Sequence, residues 1–444
     1  MYVTRVQLKN IKGFSGKRTV DLALPGRSGW TVLAGRNSSG KSTVLQALAL
    51  ALAGPTVSRA LVTDFTGWIS SGTRTGEVNV HVAVDASLDG FSGPGNTPEG
   101  ETSFGLRWSR APESEHSQRP LVEPLGKGKS GPRGPWVENP AGWFCAGYGP
   151  FRRLTGGSSE AQRLMVNQGP SGRLATLFHE DASLAEGVAW LVDLRLRAYE
   201  EDEGGPAADL LQTVLALLQD GLLPDNYQVK RVTADGLWVE EREGTKQFPL
   251  KEMSDGYRTV AALVLDIVRQ LQGAYGALMV TRTSSGGTVV RNPGVVLIDE
   301  VDAHLHVTWQ RKIGDWLQEH FPCIQFIVTS HSPYICQAAD KGALIRLPGI
   351  DEHQAPEVVQ EDLYRRVVYG TGDDAVISEL FGLETLFSSR AERERRRLVA
   401  LERKVYAQTT TPEEDEEYRQ LTDLLTSSLV TRVAEVSARL EQDR

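Results

Sequence analysis

Apolar and polar positions alternate from the first residues: Val6 and Leu8 stand against Gln7 and Lys9, and Ile11, Gly13 and Phe14 follow. A period of two predicts a half-buried strand. A second alternating run over residues 17–24 predicts an antiparallel partner, so the chain opens on a small sheet. Trp30-Thr31-Val32-Leu33-Ala34 is largely apolar without clean alternation, the pattern of a strand covered on both faces. Thr43-Val44-Leu45-Gln46-Ala47-Leu48-Ala49-Leu50 predicts a buried helix, ending near Gly54-Pro55. Residues 76–84 alternate cleanly, with His81 on the solvent side, and residues 102–108 predict another strand. Residues 126–135, rich in glycine, lysine and proline, predict a surface loop.

From about Ser158 to Leu223 the period lengthens. Leu174, Leu177, Phe178, Leu184, Val188 and Leu191, then Leu210, Val214, Leu217 and Leu218, recur at helical spacing, with a break at Gly204-Gly205-Pro206. This predicts a lobe of a few short helices with no sustained heptad. Strands return over residues 228–232 and 237–241, and a helix with Val260, Leu263, Val264, Ile267 and Leu271 opens after Ser254. Residues 295–298 and 326–328 are fully apolar, as in a parallel sheet, and a last strand over 343–347 is stopped by Pro348. Residues 390–406 predict a basic helix with Leu398, Leu401 and Val405 on one face. Thr411-Pro412-Glu413-Glu414 joins a cap residue, a first-turn proline and acids at a helix start. The helix that follows carries Tyr418, Leu421, Leu425 and Leu429. The two predict an antiparallel hairpin, either a surface for self or partner contact or a cap on its own domain.

The chain of 444 residues, 40% hydrophobic, can bury one large core or two modest ones. A net charge of -9 excludes indiscriminate attraction of nucleic acid, so DNA contact would need a local basic patch. Cys145, Cys323 and Cys336 lack metal-ligand spacing and fit a reduced, cytoplasmic setting, and Cys323 and Cys336, which flank an apolar strand, are expected to be buried thiols. Strand alternation from the first residues leaves no room for a targeting segment. No uninterrupted apolar run reaches membrane-spanning length, and no membrane partner is expected.

Gly35-Arg36-Asn37-Ser38-Ser39-Gly40-Lys41-Ser42 fits G-x-x-x-x-G-K-[ST] between a predicted strand and a predicted helix. Glycines let backbone N–H groups curl round phosphate oxygens, and the helix N-terminus favours negative charge. Lys41 would reach the β- and γ-phosphates of ATP, and Ser42 would hold Mg²⁺. Val295-Val296-Leu297-Ile298-Asp299-Glu300 is an apolar strand ending in two carboxylates. Asp299 is placed for Mg²⁺, and Glu300 to orient or deprotonate the attacking water. Thr329-Ser330-His331-Ser332-Pro333 ends the next apolar strand, where His331 can donate to the γ-phosphate or the water. Met253-Ser254-Asp255-Gly256-Tyr257-Arg258 opens a helix whose free N–H groups form a second anion site. One chain already fills its own phosphate loop, so Ser254 and Gly256 are best explained by reaching the ATP of another subunit.

The order of these four motifs resembles that of the ABC-type ATPases. Val6-Gln7-Leu8-Lys9-Asn10-Ile11-Lys12-Gly13-Phe14 is similar to the start of the SMC and RecF branch. Asp299-Glu300-Val301-Asp302-Ala303-His304-Leu305-His306 and Thr329-Ser330-His331-Ser332-Pro333 resemble segments of the OLD-like ATPases. The resemblance spans residues 1–347. It implies that Gly35, Arg36, Asn37, Ser38, Ser39, Gly40, Lys41, Ser42 and Thr43 bind the nucleotide, with Ser42 and Asp299 on Mg²⁺. It implies that Ser254 and Gly256 clamp the γ-phosphate across a dimer, that Lys41, Glu300 and His331 serve the chemistry, and that residues 302–306 cross to the other subunit. The family pattern argues against zinc at His304 and His306. The usual lid glutamine is not evident. Tyr148-Gly149-Pro150-Phe151-Arg152-Arg153 stands near its place and resembles a Tyr-Gly-Pro-x-Arg segment of OLD-like relatives, leaving open which residue there meets Mg²⁺.

The implied fold is α/β: an ABC-type P-loop ATPase head with a mixed or parallel sheet, an antiparallel β subdomain, a helical lobe and a C-terminal helical hairpin. The expected division is 1–157 and 226–348 for the two parts of the head, 158–225 for the lobe and 349–444 for the extension. Short helices exclude the long coiled-coil arms of SMC proteins. A helical tail without a βαβ frame of clustered acids is not the nuclease domain of OLD proteins, so this chain is expected to cut nothing itself. The resemblance therefore implies an ATPase like those of Septu-type anti-phage defence. It would form a homodimer or higher homo-oligomer and gate a separately encoded nuclease, the HNH type being one candidate, with DNA as a further partner. The alternative is a RecF-like DNA-repair ATPase that clamps duplex DNA through the basic face of residues 390–404 and the Arg152-Arg153 pair.

Overall fold

The computed structural model describes residues 1–425 apart from 95–97, 99, 111–118, 127, 129, 139, 153–158, 167–168, 202–203, 224–226, 243, 245, 285, 384 and 386. Arg153 and Leu429 lie outside the described residues. The chain divides into two compact units, Met1–Gly382 and Leu383–Arg444.

In the first unit, β1 (Tyr2–Lys9) and β2 (Val20–Ala23) pair antiparallel, with Val6 opposite Leu22. β3 (Gly29–Ala34) runs into α1 (Lys41–Leu61). β4 (Thr75–Ala83), β5 (Glu101–Ser109) and β6 (Leu121–Pro124) extend the opening pair into a five-stranded sheet ordered β2-β1-β4-β5-β6. His81 lies on the polar face of β4, half-buried, with Nε2 3.2 Å from Asn79 Nδ2. Helix α1 breaks at Gly54, where φ is 83°, and then resumes to Leu61. Pro55 is tolerated because it opens the second segment, where its missing N–H costs nothing. The stretch expected to be a surface loop instead carries one helical turn, α2 (Ser130–Arg133). It wraps Trp136: a Cβ on Gly131 would lie 2.5 Å from that ring, and the indole N–H donates to Ala51 O at 2.9 Å.

β7 (Cys145–Tyr148) precedes four helices: α3 (Ser159–Val166), α4 (Pro170–Phe178), α5 (Ala185–Glu200) and α6 (Pro206–Gln219). β8 (Tyr227–Thr233), β9 (Gly236–Glu241) and β10 (Gln247–Pro249) form a small antiparallel sheet before α7 (Asp255–Tyr275). The hairpin of β11 (Val280–Arg282) and β12 (Thr288–Val290) leads to β13 (Gly294–Ile298). Next come α8 (Val307–Gln310), α9 (Ile313–His320), β14 (Ile324–Ser330), α10 (Pro333–Gln337) and β15 (Leu344–Arg346). The unit closes with β16 (Glu357–Val358), α11 (Glu361–Val368) and α12 (Gly372–Val376).

The central sheet is ordered β16-β15-β3-β14-β13-β7 and is parallel except for β16. Its strands lack alternation because both faces are buried. Leu33, Val295, Leu297 and Ile327 join the core formed with α1 and the antiparallel sheet. Trp30, Val32, Val296, Ile298, Phe326 and Val328 join the core formed with α7 and the lobe helices. Among the described helices, α1 alone is long and apolar enough to cross a membrane, and most of it is buried in the first of these cores. Cys145 and Cys336 are buried, but Cys323 is only half-buried, which corrects the expectation of a buried thiol there. Its position, just before β14, explains this.

The second unit contains α13 (Ser389–Tyr406) and α14 (Pro412–Leu425). Leu401 and Leu421 are buried, and ion pairs Arg397–Glu417 and Lys404–Glu414 run in reverse register, so the helices are antiparallel. Thr411 and Glu414 cap the second start reciprocally: Glu414 N donates to Thr411 Oγ1 and Thr411 N to Glu414 Oε2, both at 3.2 Å.

Candidate functional site

β3 delivers residues 35–40 to the C-terminal edge of the parallel sheet, between β14 and β15. Ligands of open α/β sheets bind at that edge. The loop turns through Ser38 (φ 63°) and Gly40 (φ 100°). Glycine is required at residue 40 twice over, since a Cβ there would also lie 2.5 Å from the Phe14 ring. A Cβ on Gly35 would stand 2.4 Å from Leu347 O. Arg18 braces the loop, donating from Nη2 to Ser39 O at 3.0 Å and to Pro348 O at 2.9 Å. Lys41 is 6% exposed, and its Nζ donates to Gly35 O and Arg36 O, each at 3.0 Å. The lysine thus fills the ring of its own loop. Burial lowers its pKa to about 8, against the pull of Asp299, Glu300 and Asp302. Arg36, Asn37 and Ser38 are exposed, Ser39 and Thr43 buried, and Ser42 half-buried. The Arg36 side chain reaches away from the loop, to Phe381 O and Gly382 O.

Asp299 and Glu300 leave β13 into a tight turn. Asp299 is buried, and its Oδ1 accepts from Thr329 Oγ1 at 2.5 Å. The same hydroxyl accepts from Glu300 N at 2.7 Å. Glu300 sits at φ 45°, a left-handed backbone that non-glycine residues rarely adopt. Its side chain is half-buried, and burial together with Asp299 and Asp302 raises its pKa. Ser330 Oγ donates to Asp302 Oδ1 at 2.6 Å, and Ser332 N to Ser330 Oγ at 2.8 Å, which fixes the turn carrying His331. Burial and the Lys41 cation lower the His331 pKa, favouring the neutral ring. Lys41, Asp299, Glu300, Asp302 and His331 thus form one cluster whose charges act on one another.

Arg152 changes the picture most. Its place near the expected lid, or on DNA phosphates in the repair-clamp alternative, would leave it exposed, but it is 2% exposed. Its Nη1 donates to Gly149 O and Asp299 O at 2.9 Å, and its Nη2 to Glu300 O at 3.0 Å and Val301 O at 3.3 Å. Burial lowers its pKa to about 10, opposed by the three nearby acids. Four residues before Arg152, Tyr148 pairs with Ile298 and accepts from Asp299 N at 2.8 Å through its carbonyl. Its hydroxyl donates to Asp266 Oδ2 at 3.0 Å, and Asp266 is paired with Arg269 at 2.8 Å, all buried. A polar link therefore joins the β13 edge to the middle of α7.

The start of α7 is built differently. Ser254 is exposed and its side chain makes no cap bond. Asp255 pairs with Arg258. A Cβ on Gly256 would lie 2.6 Å from His304 O, so glycine allows this tip to pack on the segment after Glu300. Ser254, Gly256, Tyr257, His304, His306 and Trp309 line an open cleft of about 480 Å³. No phosphate-loop residue lines it. His306 Nδ1 accepts from Thr308 N at 3.3 Å and caps α8.

The donor set suits Mg²⁺. Ser42 and Asp299 offer hard oxygens, and among the described residues no cage of three or more His, Cys, Asp or Glu competes with them. Mg²⁺ characteristically takes one or two carboxylates and completes its shell with phosphate and water.

Residues 160–337 match a family described as "AAA domain, putative AbiEii toxin, Type IV TA system", and residues 5–91 match one described as "AAA domain". The Septu protein PtuA of Bacillus mycoides (strain KBAB4) is 24% identical over 361 residues, 80% of this chain and 41% of that protein. The chain is thus similar to PtuA over most of its own length. The Retron Ec83 probable ATPase of Escherichia coli is 36% identical over 109 residues, 24% of this chain and 19% of that one. The chain thus spans less than half the length of these curated relatives. A solved Smc head domain with an extended coiled coil, bound to the C-terminal domain of ScpA and derived from Pyrococcus furiosus, aligns over 81% of this chain and 96% of that one at 15% identity, TM-score 0.46. Both matched families are described as AAA domains, and the retron relative is named a probable ATPase.

The bracing roles of three contributors carry no sequence motif: Arg152, Arg18 and Thr329. Thr329 stood inside the quoted histidine motif, and an arginine four residues after Tyr148 was the only local sign of the first.

Proposed function

We propose that this chain is an ATP-driven clamp whose two copies meet head to head, each presenting Ser254 and Gly256 to the ATP held by the other. The observation that carries the reading is the exposed, uncapped tip of α7, beside a cleft that contains none of the chain's own phosphate-loop residues. N–H groups at a helix start attract anions.

In this reading Gly35, Asn37, Ser38, Ser39, Gly40 and Thr43 cradle the phosphates, and Lys41 swings from its loop carbonyls to the β- and γ-phosphates. Mg²⁺ held by Ser42 and Asp299 would neutralise phosphate charge. Glu300, with its raised pKa, takes a proton from the attacking water. Neutral His331 donates to the γ-phosphate. Binding closes the pair, and hydrolysis opens it.

The likeness to PtuA and to the retron ATPase supports a cytoplasmic role in anti-phage defence, with closure gating a separately encoded nuclease or other DNA-processing partner. The repair-clamp alternative loses support. Arg152 is buried on carbonyls, and the basic helix α13 spends Arg397 and Lys404 on the acids of α14.

Glu300→Gln tests the core of this reading. With ATP and Mg²⁺ it should bind nucleotide, lose turnover by about 10²–10⁴-fold and sediment as a dimer. Wild-type turnover would defeat the assignment of Glu300, and a strict monomer under these conditions would defeat the clamp.

A further inference from the structure

We infer that Arg152 is the positioning residue that holds the Glu300 carboxylate in its working place; the inference rests on the reading of Glu300 given above. A buried guanidinium needs partners for its donors. Arg152 donates to four carbonyl oxygens: that of Gly149 at the exit of β7, and those of Asp299, Glu300 and Val301 in succession along the turn after β13. Three consecutive carbonyls converge on one planar fork. That fixes the path of the backbone rather than the charge of any side chain.

The turn needs such a hold. Glu300 at φ 45° is in a region that persists only where surrounding contacts over-determine it. Both of its peptide groups are tied: the N–H to Thr329 Oγ1 at 2.7 Å and the carbonyl to Arg152 Nη2 at 3.0 Å. Thr329 comes from the neighbouring strand β14 and Arg152 from the loop after β7, on the other side of β13. The turn is therefore clamped from both flanks of the sheet. With the backbone so fixed, the direction in which Glu300 leaves it is fixed as well. A lysine at 152 keeps the charge but lacks the fork, and cannot serve two pairs of carbonyls from fixed nitrogens.

The test compares the full chain carrying Arg152→Lys or Arg152→Gln with the native protein, measuring kcat and KM for ATP, affinity for a fluorescent ATP analogue, and thermal unfolding. Arg152→Lys should lower kcat by about 10–100-fold while KM and analogue affinity stay within about threefold. In the Glu300→Gln background, Arg152→Lys should add no further loss, because the residue acts through Glu300. Native kcat in Arg152→Lys, a parallel fall in analogue affinity, or losses that multiply in the double variant would each overturn the inference. Unfolding of both variants below the assay temperature would overturn it too, by assigning Arg152 to folding. Native turnover in Glu300→Gln alone is a separate result, and marks failure of the underlying reading instead.

Discussion

The turn after β13 and the tip of α7 are assigned to one reaction and are built in opposite ways. In the turn, Asp299, Glu300 and Val301 have their carbonyls bound by Arg152, Asp299 and Glu300 are bound by Thr329, and Asp299 N is bound by Tyr148 O. At the tip, Ser254 is exposed and uncapped, and Gly256 presents bare backbone beside an open cleft. The first is organised before any ligand arrives, which is the condition for fixed dipoles and charges to favour a transition state. The second leaves N–H groups to be satisfied from outside. In the proposed clamp, a single chain would thus supply a finished half-site and an unfinished one.

Substitutions should separate these two halves, and the largest effect belongs to the finished one. Lys41→Ala removes the only lysine in the phosphate loop and should abolish detectable nucleotide binding in equilibrium dialysis at millimolar ATP. Retained binding would show that the loop does not hold the phosphates through Lys41. At the unfinished half, Ser254→Glu sets a charge against the incoming γ-phosphate. Turnover should fall by about a hundredfold or more, as when a donor to transition-state charge is lost, while affinity for the first nucleotide is unchanged. Equal losses in affinity and turnover would place Ser254 on the chain's own ATP, and the contrast would vanish.

A smaller effect is expected from pH. Lys41 titrates near 8 because it is buried, well below the ordinary lysine value. Below that pH the ammonium is charged and attracts phosphate, and above it the charge is lost. ATP affinity should therefore be level below about pH 8 and drop by up to about tenfold per unit above it. Lys41→Arg, whose guanidinium stays charged, should bind without this slope. A flat native profile up to pH 10 would mean that the lysine is not the titrating contact.

Much of this site was legible in the sequence because its elements are local. The spacing of Gly35, Gly40, Lys41 and Ser42, the apolar run before Asp299 and the one before His331 each lie within a few residues, and each sits on the strand or helix that the pattern predicts. What stayed hidden acts across the chain. Arg152 reaches carbonyls 147 and more positions away, and Arg18 joins Ser39 to Pro348. Backbone oxygens carry no residue identity, so no motif marks their partner. The short strands β7, β10, β11, β12 and β16 were missed for a related reason: two to four residues are too few to display a period. The lobe helices, by contrast, repeat their leucines often enough to be read.

Mixing two inactive chains tests the shared site most directly. Glu300→Gln spoils the half-site that holds ATP, and Ser254→Glu spoils the half-site offered to a twin. Combined before ATP is added, the two variants can pair so that one nucleotide meets an intact Glu300 and an intact Ser254. The mixture should recover about a quarter of native turnover per chain, from one sound site in half of the dimers. If it stays as inactive as its two components while the chains demonstrably associate, the site is not shared between copies.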